Sequence, residues 1–358
     1  MSVKLLAFLV CGWLFVLLAG CATPATRGVS VSDSAIREET ERQKDLAVQK
    51  IAEEQERLAR VYRVLATKAH RMCGKDLTSS TGAIFRSTSR NELSPAYARL
   101  YGITDRPTLL FVLDGSPAKA AGLQARDVIT HVNDTPVPRM DDLSEALKSL
   151  RASEPVRMRM VRNGTTLDFE FKPEPACAYS AVLHPDLVPN AYADGTRIVV
   201  TRGMMAFARD DFELSLVLAH ELAHNAMHHM DAKKQNMVGD FFTHMLAAMS
   251  PGGPAWTSIF STSGTFSYSQ EFEAEADYVG SYIIAAAGLP FGDATAFWRR
   301  MAASNPSNID TNTASSHRSI PQRMLALEAT IREIRDKIEH GQALEPNMRE
   351  GRTDLSLR

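Results

Sequence analysis

Two histidines four residues apart constrain this chain more than any other feature. His220 and His224 enclose Glu221 in the stretch HELAH, which lies in a mainly apolar run. Residues four apart share one face of a helix, so the two imidazoles can converge on one metal ion. Glu221 lies beside the first imidazole, where it can reach a water held by that ion. The motif therefore predicts a helix that carries a zinc site.

The limits of this helix are also predictable. Asp210 and Glu213 have the three-residue spacing of a capping box, so a helix is predicted over residues 212–230. A zinc site needs a third ligand, but His228 lies two turns past His220, about 12 Å along the axis. His228 and His229 are therefore interpreted as a polar helix end.

Residues 271–277 supply acidic candidates for the third ligand. Their pattern predicts a second helix, with Glu273 and Asp277 on one flank and Glu271 and Glu275 on the other. Helical spacing alone leaves both flanks open. An acidic helix that only faces solvent is the alternative.

The stretch YSQEFEAEAD at residues 268–277 resembles the third-ligand helix of a metallopeptidase family. That family is typified by CAAX prenyl proteases and their bacterial heat-shock relatives, peptidase family M48. The resemblance implies that Glu273 binds zinc and that Asp277 orients a ligand histidine. His317 and Arg323 resemble a further family motif near the active site. This implies that His317 stabilises an oxyanion or caps the metal, with Arg323 behind the ligands; a surface histidine is the alternative.

Residues 190–203 resemble the strand pair that precedes the zinc helix in this family. The resemblance implies that Asn190, Ala191 and Tyr192 belong to an edge strand. Such a strand would hold an extended substrate through backbone hydrogen bonds. The expected substrates are therefore extended or misfolded polypeptides.

Residues 74–173 show short strand patterns, including a hairpin predicted at Asn163-Gly164. The stretches DGSPA at 114–118, AGL at 121–123 and DVI at 127–129 resemble a PDZ domain of the kind attached to bacterial proteases. Such domains bind extended peptide ends at a sheet edge. Arg126 stands where these domains usually have glycine. The block is therefore predicted either to bind peptides or to act as a packing or gating module.

The N-terminus predicts export. A short positive region with Lys4 precedes an apolar run, which indicates a signal peptide over residues 1–20. The stretch LAGC ending at Cys21 resembles the bacterial lipobox. That resemblance implies lipidation of Cys21 and anchoring in the cell envelope, at the periplasmic face of an outer membrane; a plain signal peptide is the alternative.

Of the four cysteines, Cys73 and Cys177 lie outside the signal peptide and the predicted lipidation site. In an oxidising compartment they are predicted to form a disulfide that flanks the PDZ-like block. Two free buried thiols are the alternative.

Residues 21–33 are predicted to be a tether, and residues 34–72 a long helix that docks on the peptidase domain. Residues 346–358 are predicted to be a tail.

Together these patterns predict an α+β chain. A mainly α-helical gluzincin-type metallopeptidase domain at 177–345, with a small β-sheet, would be interrupted by the PDZ-like domain. One Zn²⁺ per chain is expected, with a zinc-bound water as nucleophile and Glu221 as general base. A net charge of −2 gives no basic surface for nucleic acid. The rival interpretation is a non-catalytic envelope scaffold, and a mobile flap is hypothesised at residues 241–267.

Overall fold

The computed structural model describes residue 26 and residues 28–88, 91–234, 269–304 and 321–349. Four sequence predictions lie wholly outside these residues. They are the signal peptide at 1–20, lipidation of Cys21, the active-site role of His317 and the flap at 241–267. Among the described helices, none combines the length and apolarity needed to cross a bilayer.

The described elements confirm an α+β fold. The helices are α1 (Asp33–Lys68), α2 (Ser94–Tyr101), α3 (Pro117–Ala120), α4 (Met140–Lys148), α5 (Arg202–Phe207), α6 (Asp211–Ala226), α7 (Gln270–Ala286), α8 (Ala294–Ser304) and α9 (Pro321–Glu339). The strands are β1 (Leu77–Ser80), β2 (Ala83–Arg86), β3 (Thr108–Val112), β4 (Val128–Val132), β5 (Thr135–Pro136), β6 (Val156–Arg162), β7 (Thr165–Phe171), β8 (Glu174–Cys177), β9 (Ser180–His184), β10 (Ala191–Ala193) and β11 (Arg197–Thr201).

The predicted PDZ-like block contains a six-stranded antiparallel sheet in the order β2-β3-β4-β6-β7, with β5 paired to β4. Val156, Met158 and Met160 of β6 alternate into its core, as the period of a strand requires. Asn163 and Gly164 both have positive φ, 50° and 80°, which gives the turn a twist that suits a two-residue hairpin. Strand β2 lies at one edge of this sheet.

The two ends of this block are joined to each other, and α1 contacts the block. Strands β1 and β8 pair antiparallel at the two ends of the block. Beside them, Cys73 and Cys177 form a disulfide with a Cα–Cα distance of 5.6 Å. Arg63 of α1 donates to the carbonyl of Gly115 at 3.0 Å and pairs with Glu174. The long helix thus contacts the block directly.

The second half of α1 belongs to the helical core. Leu58, Val61 and Leu65 are buried in the same apolar cluster as the residues of α6 and α7. The Tyr62 hydroxyl donates to the carbonyl of Tyr179 at 2.7 Å. Residues up to Lys44 form a unit of their own, in which α1 is largely exposed.

Helix α6 begins as predicted but ends earlier. The Asp210 carboxylate caps it by accepting from the backbone N–H of Glu213 at 2.8 Å. The helix stops at Ala226, not at residue 230, and residues 229–234 are helical again. His228 between them has φ 53°, which right-handed helix does not allow. The Asn225 carbonyl, which a continuous helix would offer to residue 229, instead accepts from Tyr179 Oη and from His228 N, each at 3.0 Å.

Helices α6 and α7 cross very closely. Gly280 of α7 faces the backbone of Ala219 and His220, and a Cβ added to it would lie 3.2 Å from those atoms. The absence of a side chain at this position lets the two helices bring their polar residues together. A small sheet in the order β10-β11-β9 packs beside α6.

Candidate metal centre

Three side chains predicted to bind metal meet between α6 and α7. The Nε2 atoms of His220 and His224 lie 3.1 Å apart. One oxygen of Glu273 lies 3.5 Å from His220 Nε2, and the other lies 3.4 Å from His224 Nε2. Two ligands bound at 2.0–2.1 Å to a tetrahedral ion are separated by roughly 3.3 Å. The three donors therefore already have the spacing that a zinc-sized cation requires.

This cluster is buried: His220 is 3% exposed, His224 0% and Glu273 2%. Within the described part of the chain, it is the one group of three or more His, Cys, Asp and Glu side chains with donor atoms close enough to share an ion. Two imidazoles and one carboxylate form a typical catalytic zinc donor set that leaves a coordination position open. The residues present thus fit a divalent metal.

Asp277 and Arg323 support the cluster from behind. Asp277 Oδ1 lies 3.1 Å from His220 Nδ1, the ring nitrogen that points away from the other donors. Arg323 donates two hydrogen bonds to the Asp277 carboxylate, from Nε at 2.7 Å and from Nη2 at 2.8 Å. Its Nη1 lies 2.8 Å from Glu273 Oε2. One guanidinium therefore orients both carboxylates.

These charges perturb the pKa values of the site. Burial opposes the charged form of His220, but Asp277 and Glu273 outweigh it and raise the pKa of His220 to about 10. Burial alone would raise the pKa of Asp277, yet Arg323 and His220 hold it below its ordinary value. A proton and a cation compete for His220, so metal binding at this site is expected to weaken as the pH falls.

Other predicted site residues lie on α6 and at the small sheet. Glu221, the residue after the first ligand, is 2% exposed. Ala191 and Tyr192 lie in β10, an edge strand of the small sheet, and Asn190 immediately precedes it. Tyr192 is 38% exposed, so this edge is accessible.

Asn225, which follows the second ligand, connects the metal helix to that sheet. Its carboxamide accepts from the N–H of Gly195 at 2.9 Å and donates to the carbonyl of Arg197 at 3.1 Å. It is 2% exposed. The turn between β10 and β11 is thus tied to the residue beside His224, a link that no spacing in the sequence indicated.

The interpretation of His229 as part of a polar helix end is wrong. His229 is fully buried, and its Nδ1 lies 2.9 Å from Nδ1 of His224. The break at His228 redirects the chain and turns the following side chain inward. The neighbouring His228 is partly exposed, with its Nε2 3.1 Å from Asp76 Oδ2.

The sequence that forms this site matches a known protein family. Residues 163–331 match the family model described as peptidase family M48, and they include the two histidines, Glu221, Glu273, Asp277 and Arg323. The chain carries a peptidase family M48 domain. Residues 112–162 match a PDZ domain and lie within the predicted 74–173 block. The M48 match begins inside the β6–β7 hairpin, which the structure places in the six-stranded sheet.

The chain is 27% identical over 158 residues to the mitochondrial metalloendopeptidase OMA1 of Schizosaccharomyces pombe. This similarity covers 43% of the chain and 47% of that protein, so the chain spans about half of the curated relative. Two solved structures are also similar. The HtrA3 PDZ domain bound to a phage-derived ligand is 22% identical, with a TM-score of 0.23, over 28% of this chain and 88% of that one. The HtrA-type protease AlgW with a decapeptide is 16% identical, with a TM-score of 0.24, over 28% and 30%.

Proposed function

We propose that this protein is a zinc-dependent endopeptidase that hydrolyses extended or misfolded polypeptides. The observation that carries the proposal is the buried cluster of His220, His224 and Glu273, with donor separations of 3.1–3.5 Å. The M48 match supports a metallopeptidase, and the similarity to a metalloendopeptidase supports internal cleavage. Zinc is proposed because two imidazoles and a carboxylate are a common zinc donor set.

A zinc ion held by these three ligands would polarise a peptide carbonyl and make a bound water acidic. Glu221 is the proposed general base. It takes a proton from the attacking water and then donates it to the leaving amine. Asp277 accepts from Nδ1–H of His220 and thereby keeps Nε2 of that ring free for the metal. Arg323 holds Asp277 and Glu273 in place, and His317 is proposed to stabilise the oxyanion or to cap the metal.

The substrate is proposed to bind as an added strand. Strand β10 lies at a sheet edge, and Asn225 ties the adjoining turn to the metal helix. An added strand requires an exposed main chain, which only extended or unfolded polypeptides offer. A second peptide could pair with β2, the edge strand of the PDZ-like sheet.

The proposed location is the cell envelope. Lipidation of Cys21 would hold the protein on a membrane, with the outer membrane facing the periplasm as the proposed site, and a role in protein quality control would suit substrates of this kind. Mass measurement of the mature N-terminus tests this proposal. An acylated N-terminal cysteine supports it, whereas an unmodified N-terminus, or one at another residue, contradicts it.

The activity is tested with an unfolded, fluorescently labelled polypeptide and the full chain. Wild type loaded with zinc should cleave it, and Glu221→Gln should retain zinc but lose at least 100-fold in rate, because general acid–base catalysis contributes roughly 10²–10⁴-fold. Glu271→Gln, on the exposed first turn of α7, is the matched control and should cleave normally. If zinc-loaded wild type cleaves no faster than Glu221→Gln because neither cleaves, the protein is a non-catalytic scaffold; equal cleavage by both would contradict the role of Glu221.

A further inference from the structure

We propose that His229 and Glu275 form a hydrogen-bonded relay that positions the metal ligand His224. The relay is Glu275–His229–His224, running from the surface of α7 to the metal cluster. This inference rests on the proposed function, because it requires His224 to bind a metal. His229 is a positioning residue here, acting through His224 and not on the substrate.

The distances define a continuous chain of side chains. His229 Nδ1 lies 2.9 Å from His224 Nδ1, and His229 Nε2 lies 3.0 Å from Glu275 Oε2. Both imidazoles are fully buried, whereas the Glu275 side chain is 31% exposed. The ring of Phe272 stacks on His229 at 4.6 Å with an interplanar angle of 26°. These contacts hold the His229 ring in one orientation.

The direction of each hydrogen bond follows from metal binding. His224 can bind a metal through Nε2 only if that nitrogen has a free lone pair, so its proton lies on Nδ1. His224 Nδ1 then donates to His229 Nδ1, which must accept. The proton of His229 therefore lies on Nε2, which donates to the Glu275 carboxylate. The carboxylate thus selects one tautomer of His229, and that tautomer selects the metal-binding tautomer of His224.

The two ligand histidines are consequently supported in different ways. His220 has a carboxylate directly behind it, since Asp277 lies 3.1 Å from its Nδ1. Behind His224, the path from Nδ1 passes through a second imidazole, His229, to the carboxylate of Glu275. This arrangement depends on the chain break at His228, because a continuous helix would carry residue 229 away from His224 around the helix axis.

The relay can be tested by zinc affinity, measured on the full chain by competition with a chromophoric chelator. His229→Phe keeps the ring stacked on Phe272 but removes both hydrogen bonds. Outer partners of metal ligands typically contribute 10–100-fold to affinity, so a loss of roughly that size is expected. His229→Asn, whose amide oxygen can replace Nδ1 as acceptor, should recover part of the loss. His228→Asn is the matched control, since asparagine tolerates positive φ, and it should bind zinc like wild type.

Glu275 provides an independent variant at a partly exposed position. Glu275→Ala should weaken zinc binding by at least roughly threefold, whereas Glu271→Ala, one turn earlier on α7, should not. The visible spectrum of Co²⁺-substituted protein should also change in His229→Phe and Glu275→Ala, because the geometry of the ligand field changes. If His229 and Glu275 only stabilised the fold, the Co²⁺ spectrum would not change and His229→Asn would not recover zinc affinity.

The outcomes separate the two proposals. Wild type that binds no zinc would contradict the proposed function itself. Wild type that binds zinc, with wild-type affinity and Co²⁺ spectrum in either His229→Phe or Glu275→Ala, would overturn the relay alone. If metal-free His229→Phe fails to fold, as judged by its thermal midpoint, Glu275→Ala decides the question by the same criterion.

Discussion

Replacing Arg323 with methionine should destabilise the metal-free protein more than any change at the surface. Arg323 is 5% exposed and makes three short contacts, two to Asp277 and one to Glu273. Methionine has a similar length but no charge, so the variant leaves two buried carboxylates without their shared cation. Removing one partner of a buried ion pair costs about 3–5 kcal/mol.

That loss is large relative to the stability of the protein. The free energy of unfolding of natural proteins is about 5–15 kcal/mol, so Arg323→Met should remove at least about a fifth of it. Zinc would add positive charge beside Glu273, one of the carboxylates that Arg323 serves. The destabilisation should therefore be smaller when zinc is present than in a chelator.

Equilibrium unfolding in urea measures this effect, with and without a zinc chelator. Tryptophan fluorescence is a suitable signal, because the Trp298 ring lies 5.5 Å from that of His220. The matched control is Arg299→Met, which breaks a partly exposed pair with Glu328 and should cost about 0.2–1 kcal/mol. An Arg323→Met loss no larger than that of the control would refute the reasoning that the guanidinium compensates two buried charges.

Further predictions concern the supports of the site. Replacing Cys73 and Cys177 by serine should lower the free energy of unfolding by about 2–5 kcal/mol relative to oxidised wild type; reduced wild type, the control, should resemble the double variant, and an unchanged stability would contradict a stabilising disulfide. Asn225→Ala leaves a buried N–H and a buried carbonyl without their partner, so it should cost about 1–3 kcal/mol and raise KM if β10 holds substrate; an unchanged KM would argue against that strand. Gly280→Ala should lower the thermal midpoint and zinc affinity by forcing two helices apart, and unaltered values would contradict the close crossing. Burial tends to raise the pKa of Glu213, but Arg300 holds it below its ordinary 4.5; its contribution to stability should be present above pH 4.5 and disappear as pH falls below that value, with Glu213→Gln showing a weaker acid dependence.

Much of the metal cluster could be predicted from the sequence because its geometry is local. His220 and His224 are four residues apart on one helix, so helix geometry alone brings their rings together. The same periodicity placed Glu273 and Asp277 on one flank of α7 but left the opposite flank equally possible. Resemblance to a family chose between the flanks, and the structure brings Glu273 to both imidazoles.

The contacts of His229 depend on features that no periodicity encodes. Helix α6 ends where the hydroxyl of Tyr179 donates to the carbonyl of Asn225. Tyr179 lies 46 residues before Asn225 in the chain. A pattern read along α6 therefore predicted a continuous helix, with His228 and His229 as its polar end. The relay also requires α7 to pack beside that break, because Glu275 lies on α7 and contacts His229.

The sequence by itself determined the elements whose causes are short in range: the capped metal helix, the hairpin at Asn163-Gly164 and the α+β composition. The PDZ and M48 resemblances belong with these, since both rest on contiguous motifs. Only the tertiary structure decided which acidic residue faces which histidine, because α6 and α7 approach closely where Gly280 lacks a side chain. Local preferences act within a few residues, whereas the orientation of a buried ligand is set by packing between segments far apart in the chain.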